Sequence, residues 1–132
     1  VVDTTGRIGI GTDSPTERVS VSGNALFRGD MAIGSSRDYK SNICPIESGE
    51  AVKALRGLKP VKYNLKKDPE EDSVGFIAED LPDMVSTKSR KSLNPVYIIA
   101  ILAKTIQRQN ESIEMLSRKL DKLEQEFSKQ YK

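Results

Sequence analysis

The chain has 132 residues, 36% hydrophobic and 5% aromatic with no Trp, so one modest core is the most it can bury. Lys and Arg number 21 against 19 Asp and Glu, a formal charge of +2 that is too balanced to argue for nucleic acid or an anionic membrane, and neither partner is expected. With no His and a single cysteine, Cys44, there is no material for His/Cys metal sites, Ser/His or Cys/His catalysis, or an intrachain disulfide; no metal or cofactor is expected, and catalysis must draw on Ser, Lys, Asp, Glu or Tyr.

The longest apolar run, Val96 to Ala103, falls far short of the roughly 20 residues that span a bilayer. The chain opens Val1-Val2-Asp3 without Met or a basic-then-apolar leader, which is expected of a segment cut from a longer protein. Residues 1–34 alternate small, β-branched and polar side chains around 7–11, 18–24 and 25–29, punctuated by Gly-Asn and Asp-Ser-Pro. That texture predicts short strands and turns. Their apolar side chains are few and an isolated hairpin is marginal in water, so this segment is expected to pair with other copies of itself.

From Ser35 to about Val85 the texture becomes that of a compact mixed unit. Ser48 is a good N-cap, and apolar residues at 51, 52, 55 and 58 predict a short helix ending near Gly57. Pro60–Leu65 alternates and predicts a strand, Lys66–Asp72 a long charged loop, and Ser73–Ala78 the answering strand of a hairpin. Glu79–Val85 reads as a helical turn and Ser86–Ser92 as a polar loop.

Asn94 and Pro95 are a good N-cap and first-turn pair with no Gly or Pro after them, which predicts a helix of about 35 residues. Within it Ile99, Leu102, Ile106, Gln109, Ile113, Leu116, Leu120, Leu123 and Phe127 alternate in steps of three and four, and Gln109 is the one polar member. A seam so regular over about four heptads predicts a coiled coil instead of a helix merely laid on its own domain. Parallel assembly is favoured by a Lys119–Glu124 pairing between g and e positions, while the mixture of Ile, Leu, Phe and Gln at the seam leaves the number of strands open.

The stretch from Ser35 to Ile46, Ser-Ser-Arg-Asp-Tyr-Lys-Ser-Asn-Ile-Cys-Pro-Ile, resembles the opening of the intramolecular chaperone auto-processing domain of phage tailspikes, tail fibres, neck appendages and endosialidases, also found inside myelin regulatory factor. Leu55-Arg-Gly-Leu-Lys-Pro-Val-Lys-Tyr63, Val74-Gly-Phe-Ile-Ala-Glu-Asp80 and the helix start from Asn94 to Gln107 resemble the family's later motifs, in order. Residues 1–34 are similar to the Gly-Ile-Gly-Thr and Val-x-Gly-Asn segments that precede the domain in tail fibres.

The resemblance implies an α+β architecture in three parts: 1–34, intertwined strands of the fibre end; 35–93, a mixed head with a hairpin and short helices; 94–132, a long helix in a parallel trimeric coiled coil. It implies an intramolecular chaperone whose partners are two more copies of itself and the preceding fibre domain. The chaperone registers the fibre for folding in the host cytoplasm during virion assembly and is then released, leaving the fibre end in the virion. It further implies a self-cleaving serine endopeptidase acting once on its own chain at Gly34–Ser35, with Ser35 and Lys40 as a Ser-Lys dyad and Asn42 or backbone N–H groups supporting the oxyanion. The alternative is a trimerisation module of the same fold that never cuts.

Spacing alone does not single out this dyad, because Ser48/Lys53, Ser86/Lys91 and Ser117/Lys122 share it. A serviceable base must be neutral, whereas an exposed ammonium titrates near 10.4, so burial or a neighbouring cation such as Arg37 is required, and assembly is the expected source. Two departures stand beside the dyad: Ser36 replaces the family's Asp, and Asp38 its Arg, an acid whose proximity to Lys40 is expected to slow cleavage. Cys44 reads as a buried small hydrophobe, Glu79 and Asp80 as a solvated helix start, and the Gly9/Gly11 segment lacks the Lys-Ser/Thr of a phosphate loop. The basic run Lys88–Lys91 is cut off from the helix by Pro95, unlike a DNA-gripping basic region.

Overall fold

A computed structural model describes all 132 residues as mixed α/β with two small sheets and a long C-terminal helix. Two compact units divide between Ile43 and Cys44.

In the first unit β1 (Ile8–Ile10) and β2 (Val19–Val21) pair in parallel, Ile8 with Val19 and Ile10 with Val21. Asp3 shapes the turn before β1: its Oδ1 accepts from the N–H of Arg7 at 2.9 Å and from the hydroxyl and N–H of Thr5 at 2.8 Å each. Those bonds, the Arg7 N–H foremost, hold the Asp3 carboxyl below its ordinary value. The predicted third strand at 25–29 does not form; residues 23–43 are exposed throughout, and the segment contributes no interior face against which a strand would settle. Ile8, Ile10, Val19 and Val21 are all more than 40% exposed, so the pair keeps its apolar side chains in water within one chain.

The second unit is built around α1 (Ser48–Gly57) and α2 (Pro95–Gln130). Ala51 and Ala54 of α1 meet Ile98 and Ile101 of α2, and Leu81, just after a short 3-10 turn at 78–80, and Val85, in another at 83–85, close the cluster. Small residues on α1 let the two helices come close. The same economy appears at Gly57, where a Cβ would stand 2.8 Å from the Pro82 ring. Ser48 is not the cap: it is the first helical residue, and Glu47 precedes it in extended conformation without a side-chain capping bond. Cys44 is exposed, not buried, because the chain before α1 gives only Ile46 to the core.

The hairpin is tighter than the predicted long loop. β3 (Val61–Leu65) turns at Lys66-Lys67 directly into β4 (Asp68–Gly75), and the charged residues expected in the loop lie in β4 itself. Both faces of this two-stranded sheet are largely solvated, so charge carries no burial cost there. The surplus residues are absorbed by a register shift between Asn64 and Leu65; the Asn64 amide donates to the Glu71 carbonyl and the Asp72 carboxylate, both at 3.0 Å, and so bridges the irregularity.

Arg90 stands at φ 50° and its guanidinium ties the 81–90 loop together, donating to Asp83 at 2.8 and 3.0 Å, to the Leu81 carbonyl at 3.2 Å and to Ser86 Oγ at 3.3 Å. Asn94 caps α2 by accepting from the Val96 N–H at 3.0 Å, and Pro95 opens the helix, as the sequence predicts. No helix is long and apolar enough to cross a membrane.

Thr105, on the α2 face turned to the core, is 4% exposed and its hydroxyl has no hydrogen-bond partner. Replacing the stranded hydroxyl with a methyl removes a desolvation cost while keeping the shape. Thr105→Val is therefore expected to raise stability by about 1 kcal/mol, read as a higher urea midpoint at unchanged slope.

Candidate active site

The residues from Gly34 to Asn42 are all exposed and organised by one 3-10 turn, Arg37–Tyr39. Ser36 starts it: its Oγ accepts from the Asp38 N–H at 3.2 Å, and its carbonyl accepts from the Tyr39 N–H at 3.2 Å. The Lys40 N–H closes the turn on the Arg37 carbonyl at 3.0 Å. Ser and Asp are near-equivalent caps, so Ser36 does at this position what the family's Asp would do.

Lys40 leaves the turn in extended conformation and its side chain folds back onto Ser35. Nζ lies 2.5 Å from Ser35 Oγ and 3.1 Å from the Ser35 carbonyl, donating to both as an ammonium. In the neutral form the same short contact lets the hydroxyl donate to Nζ. Of the four Ser/Lys pairs at this interval, Ser35/Lys40 is the one whose side chains are hydrogen-bonded. The others lie along α1, in the 86–92 loop and on the exposed face of α2.

Asp38 forms no ion pair with Lys40; the ion pairs of the chain are Asp83–Arg90 and Glu114–Arg118. The turn spends the Asp38 backbone N–H on Ser36 instead. Asn42 stands in the left-handed region at φ 54°, exposed, with no hydrogen bond to Ser35 or Lys40. Gly34 is not in that region; the glycines at positive φ are Gly6, Gly11 and Gly23. What the sequence did not reveal is Tyr39, whose ring edge lies beside Gly34, 3.7 Å from where a Cβ would be. The capping role of Ser36 was legible in principle, since Ser followed two residues later by Asp is a side-chain turn pattern.

The seam residues form a second surface. Ile99, Ile106, Ile113, Leu116, Leu120, Leu123 and Phe127 are each more than half exposed, Leu102 is 37% exposed, and Gln109 is exposed. The side of α2 that packs on α1 is a different one, carried by Ile98, Ile101 and Thr105. Helix α2 thus lies on its own unit by its first turns and leaves the heptad seam unpartnered from end to end. No group of side chains suited to a metal occurs.

An uncharacterized protein of Dictyostelium discoideum is 29% identical over 83 residues, covering 58% of this chain, which spans only 7% of that protein's length. A family model named Peptidase_S74 and described as "Chaperone of endosialidase" matches residues 35–87. Its first matched residue is Ser35, the serine held by Lys40. Residues 35–87 of this chain are therefore a domain of the chaperone-of-endosialidase family.

Proposed function

We propose that the chain is an intramolecular chaperone that brings three copies together through the α2 seam, registers the strands of residues 1–34 at the end of a phage fibre or neck appendage, and then frees itself by cutting Gly34–Ser35. The observation that carries the reading is the 2.5 Å contact of Lys40 Nζ with Ser35 Oγ at the first residue of the family match. The functional parts are 1–34, 35–93 and 94–132, and the setting is the host cytoplasm during virion assembly.

The chemistry uses groups of this chain and one water. Neutral Lys40 takes the Ser35 hydroxyl proton as Oγ bonds to the Gly34 carbonyl carbon; the Gly34–Ser35 C–N bond breaks, and the Lys40 ammonium returns the proton to the departing Ser35 amine. Water then hydrolyses the Gly34 ester, restoring the hydroxyl and leaving a carboxylate on Gly34. Oxyanion donors come from backbone N–H groups or Asn42 once the segment is packed. Both dyad side chains are exposed in the single chain, so the dry environment that favours a neutral amine comes from neighbouring subunits, and association licenses the cut.

The chaperone action follows from topology. Strands that share hydrogen bonds between chains are non-local contacts, slow to form, and their open edges invite mispairing meanwhile. Joining the chains through α2 turns a three-body encounter into a local search at high effective concentration. Cleavage removes the clamp and leaves the fibre kinetically trapped.

Lys40 reaches the serine five residues before it in its own chain, which supports action of the dyad in cis. Intact-mass spectrometry of freshly folded protein is expected to show conversion to fragments 1–34 and 35–132. Ser35→Ala and Lys40→Ala chains folded together are expected to stay intact, since no chain then holds both groups. Cleaved Lys40→Ala chains in that mixture would mean action across subunits, and an uncut wild type would leave the non-cleaving assembly module as the reading.

A further inference from the structure

We propose that Tyr39 is a specificity-determining residue of the self-cleavage: its ring walls the space beside Gly34 and limits the residue before the cut bond to glycine or alanine. The inference rests on the reading that Gly34–Ser35 is that bond. A Cβ on Gly34 would lie 3.7 Å from Tyr39 Cε2 and 4.0 Å from Cδ2, ordinary van der Waals contact, so one methyl fits against the ring, and outside the adjoining residues no atom other than the ring's comes within 4 Å of it. Backbone conformation is not what reserves position 34 for glycine, because the glycines at positive φ are Gly6, Gly11 and Gly23. The limit is spatial.

Tyr39 has no packing reason to sit there. It is 78% exposed and is absent from the hydrophobic core, yet the 3-10 turn fixes its backbone through the bond to the Ser36 carbonyl. The same turn sets Lys40, the next residue, on Ser35. A branched side chain at 34 that displaces the ring therefore also disturbs the grip of Lys40 on the nucleophile. Tyr39 touches the residue before the bond while Lys40 touches the hydroxyl, and one rigid turn couples size selection to nucleophile positioning.

The test follows cleavage of the full chain by intact mass over time, with assembly verified by native mass. Gly34→Ala is expected to cut within about threefold of wild type, and Gly34→Val at least about tenfold more slowly, the scale on which one or two extra carbons are refused by a filled site. Gly34→Val combined with Tyr39→Ala is expected to return to within about threefold of Tyr39→Ala alone, a rescue that a merely structural tyrosine would not give. If wild type cuts in a Ser35-dependent way but Gly34→Val cuts equally fast, or is slow and not rescued, the Tyr39 assignment falls while the cleavage reading stands. If wild type shows no Ser35-dependent cut, both fall.

Discussion

Lys40→Arg is expected to abolish cleavage while keeping the positive charge and a hydrogen bond to Ser35. A guanidinium is never neutral at accessible pH, so it can hold the hydroxyl but not take its proton. General-base assistance contributes on the order of a hundredfold to ten-thousandfold, and the nucleophile is absolutely required, so Lys40→Arg is expected to lose at least about a hundredfold in rate and Ser35→Ala all detectable product. The check is the single-turnover rate of appearance of fragment 35–132, read beside the native mass of each variant. Retention of assembly with loss of cutting assigns the defect to chemistry. A Lys40→Arg chain that cuts at wild-type speed would mean that the 2.5 Å contact positions the serine and does no more.

Placing a charge in the seam is expected to have the second large effect. Ile113 and Leu116 are 62% and 63% exposed in the single chain, with nothing of their own unit to cover them. Covering a Leu or Ile in an assembly contributes about 1.5–3 kcal/mol per side chain, and every subunit contributes one at each level. Leu116→Asp forfeits that gain and buries carboxylates against one another, so it is expected to give monomers by analytical ultracentrifugation at concentrations where wild type is assembled. The dyad is exposed in the single chain, and under the proposed function neighbouring subunits cover it, so the same variant is expected to cleave at least about tenfold more slowly. Lys122→Ala, on a solvent-facing position of the same helix, is expected to change neither. Cleavage at an undiminished rate in a monomeric Leu116→Asp chain would disconnect the chemistry from association.

Much of the second unit was legible because its signals are local and periodic. Asn94 and Pro95 fixed the start of α2, and the seam was read from steps of three and four that the structure presents as one unpartnered stripe. The hairpin was placed but its turn was not. Charge at Asp68–Asp72 looks like a loop only if strands are assumed to have a buried face, and this sheet has scarcely any. Its register depends on the Asn64 amide reaching Glu71 and Asp72, a side-chain event without a sequence period.

The first unit was legible in composition and not in pairing. Alternation at 8–10 and 19–21 marked two strands, but parallel pairing across the eight-residue connection 11–18 has no hairpin signature, and 25–29 carried the same texture without forming a strand. At the site, one of four equal Ser/Lys intervals is hydrogen-bonded, where a turn that Ser36 opens brings Lys40 back to Ser35. Asp38, two residues before Lys40, makes no ion pair with it, a matter of side-chain placement in the turn that spacing does not encode.

Helix α2 has 36 residues, a rod of roughly 54 Å, yet its only intrachain anchors, Ile98, Ile101 and Thr105, fall within its first three turns. Helices draw most of their stability from packing, so the remaining two-thirds of the rod, left alone, is free to fray. Under the proposed function, dilution and melting of this tail are one equilibrium, and the abundance of newly made chains becomes a threshold below which the tail stays loose and above which it stiffens. A polypeptide working in that way senses how many of its siblings are nearby before committing to an irreversible act.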